Sequence, residues 1–295
     1  MKTRAHRKLR LVLLLLAALL VIADGALSLA GYSFGGSVLT EDTAVHFIDV
    51  GQGDATLLLS GGDAVLIDAG EASAGDTVVE YLRALGVKKL YAAVATHPHA
   101  DHIGGMAQVV DAFPIDNFYM GPETANTAAY DRLLTALEKR GIRPIVPEDG
   151  ETLRFRSDAA LEFLGPAPSR EKVKNLNDRS LITRFVAGEH SVLLMGDAEA
   201  AAEKALLSKH PRLSCEVLKV GHHGSATSST PAFLRAVHPS VAVISCGQDN
   251  DFGHPDPDTL QNLQKVGVST IHITAEEGAV ILPFDQPSVT KENAA

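Results

Sequence analysis

Cysteine is scarce in these 295 residues, and its two copies, Cys215 and Cys246, are poorly placed for a bridge. Cys215 opens one apolar segment, residues 216–220, and Cys246 closes another, residues 241–245. Laid side by side as parallel strands, these segments hold the sulfurs at opposite ends, roughly 15 Å apart at about 3.3 Å per residue. A disulfide needs Cα atoms within about 7 Å, so two free, half-buried thiols are expected. Basic charge is also short: 26 Lys and Arg stand against 36 Asp and Glu. Residues 1–30 hold five of the basic side chains and one of the acidic ones, which leaves the remainder with 21 basic, 35 acidic and a net charge of −14. Such a body repels polyanions at long range and argues against tight, extensive nucleic-acid binding. A phosphodiester in a pocket stays open, because bound cations invert the local field. No short-period repeat occurs, and the 45% hydrophobic, 21% charged composition excludes wholesale disorder.

Long apolar runs are limited to one. Leu11 to Ile22 is unbroken, behind Lys2, Arg4, Arg7, Lys8 and Arg10. A basic start followed by a twelve-residue apolar stretch has the form of an export signal, and it is short for a full span. Ser28-Leu29-Ala30 offers a small-x-small cleavage site; the alternative is an uncleaved anchor stretched to about 20 residues. Either way the rest of the chain is expected outside the cytoplasm. The expected organisation is a signal peptide or membrane anchor over 1–30, a linker over 31–43, a folded body over 44–285 and a tail over 286–295.

Within the body, strands are expected at residues 44–49, 55–59 and 64–68, with glycine-rich turns between them. Helical spacing covers 76–85, with Gly86 just past its end, and 127–139, followed by Gly141. A further helix is expected from about His102 to Phe113. Strands follow near 152–155, 160–164, 181–186 and 191–195, a helix near 198–208, and a strand at 217–220. Thr230-Pro231 and Asp256-Pro257 each read as an N-cap with proline at the first helical position. Two halves of β-then-α character predict an α/β fold of two sheets face to face with helices outside.

The densest chemistry lies in Thr96-His97-Pro98-His99-Ala100-Asp101-His102, directly after the apolar strand of residues 90–95. Three imidazoles and a carboxylate within six residues suit one or two divalent ions. If the strand continues, His97 and His99 share a face. Other apolar strands deliver polar residues to the same rim: Asp68 after residues 64–67, Asp197 after Leu193-Leu194-Met195-Gly196, and His222 after residues 217–220. A carboxylate at Asp197 is suited to bridging two ions about 3.5–4 Å apart.

These residues resemble the metallo-β-lactamase superfamily, whose His-x-His-x-Asp-His signature stands at 97–102. The likeness is nearer to one branch, the extracytoplasmic hydrolase domain of ComEC-type DNA-uptake proteins. It is carried by residues 47–54 (FIDVGQGD), 66–70 (LIDAG), 96–105, 177–181 (NDRSL), 194–197, 217–225 and 253–255, and covers about residues 44–283. The resemblance implies a four-layer αββα sandwich with a dinuclear site along one edge. It implies His97 and His99 on the first ion, Asp101, His102 and His222 on the second, Asp197 between them, and Asp68 orienting a ligand. Where many members place a further histidine, this chain has Asn177-Asp178-Arg179-Ser180, which weakens the preference for Zn²⁺ and opens the site to Mn²⁺. Only 24 residues separate Asp197 from His222, so the extra domain of RNA-processing relatives is absent from that interval.

The chemistry expected of two such ions is hydrolysis by an activated hydroxide, with Asp101 orienting it or taking its proton and His254 protonating the leaving oxygen. His223 and Ser225 are expected to line the substrate side or to support His222. Asp49 and Asp54 lie in a glycine-rich turn that either reaches the metal rim or is simply tight. The resemblance also sets Asn177 and Ser180 near the first ion, as support or substrate contacts. The expected activity is that of an exported phosphodiesterase, with a nuclease as one form of it. The alternatives are a hydrolase of a phosphorylcholine or cell-wall ester or a lactone, and a metal-binding scaffold without turnover. Partners follow: a small phosphodiester or nucleic-acid substrate, the membrane if the leader is retained, and a separate DNA channel. No obligate protein partner is evident.

Overall fold

The computed structural model describes residues 43–165 and 175–284. The expected leader, the linker up to residue 42 and the tail lie outside the described residues. In chain order the strands are β1 (Thr43–Phe47), β2 (Thr56–Ser60), β3 (Asp63–Ile67), β4 (Leu90–Ala95), β5 (Ile115–Met120), β6 (Thr152–Arg154), β7 (Ala160–Gly165), β8 (Ile182–Ala187), β9 (His190–Leu194), β10 (Val217–Lys219), β11 (Val241–Ile244), β12 (Thr270–Ile273) and β13 (Val280–Phe284). The helices are α1 (Gly75–Ala84), α2 (Ala100–Ile103), α3 (Met106–Ala112), α4 (Ala128–Arg140), α5 (Ala200–Lys209), α6 (Pro231–Val237), α7 (Pro257–Lys265) and α8 (Thr274–Glu277).

Two sheets form, ordered β13-β1-β2-β3-β4-β5 and β12-β11-β10-β9-β8-β7-β6. The side-chain period of two sends Leu58, Val65 and Val94 inward against Phe163, Phe185, Val192 and Val217 of the facing sheet. The alternate residues Leu57, Leu66 and Ala93 pack outward under α1, α3 and α4. On the second sheet Leu193, Leu218 and Ala242 do the same under α5, α6 and α7. Each large apolar side chain buried this way contributes roughly 1.5–3 kcal/mol. The result is the expected four-layer αββα sandwich.

The expected proline-led caps and the glycine stop are in place, and Thr127, expected as the first helical residue, is instead the cap of α4. Thr127 accepts the Tyr130 N–H at 3.3 Å and Gly141 closes α4 in the left-handed region at φ 67°. Thr230 and Asp256 cap α6 and α7 with proline directly after them. The thiols differ from expectation in one respect. Cys215 and Cys246 are free, but both are fully buried, because they belong to the core beneath α5 to α7. Among the described residues no helix is long and apolar enough to cross a membrane.

The long helix expected from His102 to Phe113 is two helices. Gly104 and Gly105 separate α2 from α3, and the Gly105 N–H donates to Gly70 O at 3.0 Å. A Cβ on Gly105 would land on the Ala69 carbonyl oxygen, so the close approach of these two turns needs glycine there. The same contact, with the Ala69 N–H donating to His102 O at 2.8 Å, holds His102 against the end of β3.

Candidate metal centre

β3 and β4 run parallel, as do β9, β10 and β11, so their C-terminal ends open on one edge. Asp68 follows β3, Thr96 to His99 follow β4, Asp197 follows β9, and His222 and His223 follow β10. β4 ends at Ala95, so strand alternation is not what aligns His97 and His99. The loop through Pro98 turns the rings toward each other, with His97 Nε2 3.0 Å from His99 Nδ1. Two nitrogens sharing one ion, each at about 2.0–2.1 Å, lie roughly 3 Å apart.

Asp197 joins the two halves of the cluster. Its Oδ2 is 3.6 Å from His97 Nε2, and its Oδ1 is 3.0 Å from His102 Nε2 and 3.5 Å from His223 Nε2. Its backbone N–H donates to Ser180 Oγ at 3.0 Å, and that hydroxyl also lies 3.4 Å from His97 Nδ1. Asp68 accepts from Thr96 N at 2.8 Å and Thr96 Oγ1 at 2.6 Å, and lies 2.8 Å from His102 Nδ1. His223 Nδ1 stands 3.0 Å from Ser245 O. With an acceptor at Nδ1, each of these two rings keeps its proton there and directs Nε2 toward Asp197, the nitrogen a metal-binding imidazole would offer to an ion.

Placement of His222 and His223 differs from the expected set. His222 was assigned to the second ion and His223 to its support or to substrate. In the structure it is His223, fully buried, whose Nε2 meets Asp101 Oδ2 at 3.2 Å beside His102. His222 lies on the other oxygen of Asp197, at 3.9 Å, with Glu199 Oε1 3.3 Å and Thr227 Oγ1 3.1 Å from its Nδ1. Both residues are in the left-handed region, at φ 49° and 54°, and that double turn sends adjacent rings to opposite sides.

The other expected residues are distributed around this centre. Asp54 is buried and lies within reach of His223, but Lys219 Nζ stands 2.8 Å from each of its oxygens, so its charge is already matched. Asp101, 4.0 Å from His102 Nε2, is left as the carboxylate facing that ion site. Asn177 Nδ2 donates to Glu199 Oε1 at 2.8 Å and lies 3.5 Å from His222 Nε2. Ser225 Oγ meets Thr227 Oγ1 at 3.1 Å and reaches His222 through it. His254 meets His222 edge-on and stacks on His223, at 5.6 and 6.4 Å between centroids. Asp49 is exposed, accepts the Gly51 N–H at 3.1 Å, and lines a cavity of about 350 Å³ with Ser73 and Gln248. Glu199 and Lys219 escaped sequence reasoning. The signal for Lys219 is there, a lysine inside an apolar strand; Glu199 has none beyond its place beside Asp197.

Burial and mutual charge set the protonation of the cluster. Burial alone would raise Asp197, but His102 and His223 outweigh it and hold the carboxyl well below its usual range. Burial opposes a proton on His102 and His223, yet Asp197 raises both above the ordinary imidazole value, His223 to about 10, with Asp68 adding to the shift of His102. Burial would also raise Asp101, which His223 and His102 hold at about 2. His97 is pushed well below its ordinary value by burial and by His102.

A cation fits these residues. His102 Nε2 and Asp197 Oδ1 are buried 3.0 Å apart, and neither has a hydrogen-bond partner. An ion between the rings and the carboxylate satisfies both. Two groups of donor atoms gather within 4.8 Å, His97, His99 and Asp197 on one side, and His102, His223 and Asp197 with Asp54 on the other. The centre is a candidate dinuclear metal site.

The family model of the metallo-beta-lactamase superfamily matches residues 48–248. The chain belongs to this superfamily. It is 33% identical over 275 residues to competence protein ComA of Neisseria gonorrhoeae, covering 88% of this chain and 37% of that protein. ComE operon protein 3 of Bacillus subtilis is 27% identical over 286 residues, covering 86% of this chain and 36% of that protein. The chain thus spans about a third of the length of these curated relatives. Among solved structures, a metallo hydrolase from the archaeon Ignicoccus hospitalis superposes with a TM-score of 0.53 at 17% identity, over 82% of this chain and all of that one. That likeness concerns the superfamily's fold alone.

Proposed function

We infer that this chain is a metal-dependent phosphodiesterase working outside the cytoplasm, and that nucleic acid is among its substrates. One observation carries the reading: a single carboxylate, Asp197, turns one oxygen to each of two histidine groups. That geometry suits the paired cations of phosphodiester hydrolysis. Bound Mn²⁺ or Zn²⁺ would lower the pKa of water to near neutrality and draw charge from a phosphoryl oxygen. His97, His99 and Asp197 would hold one ion, and Asp101, His102, His223 and Asp197 the other.

The remaining groups have separate tasks. Asp101, ionised down to about pH 2, is a weak proton acceptor and serves to orient. Burial and the neighbouring His222 and His223 keep His254 below its ordinary pKa, so near neutral pH it would offer the leaving oxygen a hydrogen bond rather than the proton expected of it. Asn177 and Glu199 steady His222 beside the Asp197 oxygen that faces His97. The basic leader with its apolar run supports export, cleaved or retained as an anchor. The body's net charge of −14 supports short or single-stranded substrates over long duplex, and a role in DNA uptake would need a separate channel protein.

The deciding experiment loads the purified protein with Mn²⁺ and Zn²⁺ in turn and supplies phosphodiesters, single-stranded DNA, choline esters and lactones. Phosphodiester turnover is expected with close to two ions bound per chain. Turnover confined to lactones, or a folded protein that takes up no metal, overturns the reading.

A further inference from the structure

The segment from Gly247 to Pro255 joins β11 to α7 and carries an aromatic ring into solvent beside the metal-side histidines. Phe252 is 69% exposed, more than any other large hydrophobic side chain among the described residues. Its ring is nonetheless fixed. It stacks on His254 at 5.6 Å between centroids and 21° between planes, and His254 meets His222 edge-on at 5.6 Å. Asn250 braces the backbone of this loop through four hydrogen bonds. Its Nδ2 donates to Gly247 O at 2.9 Å and to His254 O at 2.6 Å, and its Oδ1 accepts from Phe252 N at 3.2 Å and His254 N at 2.9 Å. A cavity of about 570 Å³ opens alongside, walled by Gln248, Asn250, His254 and Glu276.

Single exposed apolar residues are ordinary. A ring stacked on an imidazole, on a loop braced by Asn250 and one imidazole away from the metal centre, is poised to meet a ligand. The surroundings select which one. Asp249 and Asp251 come just before Phe252 and are exposed, and Glu276 is on the cavity wall. These carboxylates repel phosphate, which leaves a neutral planar group as the complement of the ring. A membrane or protein interface needs a contiguous apolar patch, and the residues beside Phe252 are polar.

We propose that Phe252 and His254 form a stacking platform for a nucleobase of the substrate, the base belonging to a nucleotide whose phosphate faces the metal centre. The proposal rests on the phosphodiesterase reading and narrows it to nucleoside phosphodiesters and single-stranded ends. Bases inside a duplex are already stacked and paired, and taking one out carries an energetic cost that a free end avoids.

The chain has no tryptophan, so Phe252→Trp introduces a sole indole at this exposed position. dTMP is expected to quench its emission, and deoxyribose 5-phosphate, which carries the phosphate without the base, is not. Equal quenching by both, or none by millimolar dTMP, overturns the platform. Turnover gives a second arm. Between the thymidine and methyl esters of p-nitrophenyl phosphate, Phe252→Ala should raise the ratio of KM values against the thymidine ester about ten-fold, and Phe252→Tyr should restore it. An unchanged ratio also overturns the platform. If neither ester is hydrolysed while dTMP still quenches selectively, the platform stands and the phosphodiesterase reading falls.

Discussion

Lys219 Nζ stands 2.8 Å from both carboxylate oxygens of Asp54, with both side chains buried between the sheets and the metal centre. Burial alone would raise the Asp54 carboxyl, but the ammonium outweighs it and holds the group ionised below its usual range. Asp54 in turn lies 3.4 Å from His223 Nδ1. The pair therefore supports the ring that faces Asp101 and Asp197.

Removing one partner leaves the other charge buried and unmatched. Lys219→Met should lower unfolding stability by about 3–5 kcal/mol. Adding Asp54→Asn should recover much of that loss, since the unmatched charge is then gone. Urea titrations of the single and double variants measure both, and a single-variant loss under about 1 kcal/mol would put the pair in the class of exposed ion pairs.

His223 and His222 separate by metal content. His223→Ala should lower occupancy by up to about one ion per chain, because it leaves the His102 side with a single imidazole among its donors. His222→Ala should keep the ion on the His102 side. Elemental analysis of the two variants decides, and the reverse pattern would return His222 to the second ion.

Asp197→Ala removes the carboxylate common to both groups. Hydrolysis of bis-(p-nitrophenyl) phosphate should fall to background and bound metal should drop toward one ion or none. Turnover at the parent rate would refute the bridging role.

His46, on β1, is buried with its Nδ1 2.9 Å from Tyr81 Oη, and burial lowers its pKa from 6.5 to about 4. The unfolded chain therefore binds the proton more tightly than the folded one. Stability from this group is full above pH 6.5, declines as pH falls through the unfolded value, and levels off near pH 4, about 3 kcal/mol lower. His46→Gln should remove that slope between pH 6.5 and 4 in urea titrations at fixed ionic strength. An unaltered slope means that other groups supply it.

Local pattern carried much of this protein. Apolar strands ending in Asp68, His97, Asp197 and the His222-His223 pair were legible because strand period, turn glycines and ligand chemistry are written within a few residues. The helix caps at Thr230 and Asp256 were legible for the same reason. β13 was not, since its partner is β1, with Thr43 opposite Phe284 across almost the whole body. Nor was the break between α2 and α3, which exists because Gly105 meets the backbone of Ala69 and Gly70.

The choice between two adjacent histidines belongs to tertiary structure in the same way. Residue types at 222 and 223 are identical, and what distinguishes them is a left-handed double turn, Ser245 O and Asp54 on one side, and Glu199 and Asn177 on the other. The chain alone determined that a candidate metal-binding edge exists, because ligand-bearing residues and the strands before them are contiguous. Which side chain faces which half of that edge depends on contacts from distant segments, and those exist only once the two sheets have packed.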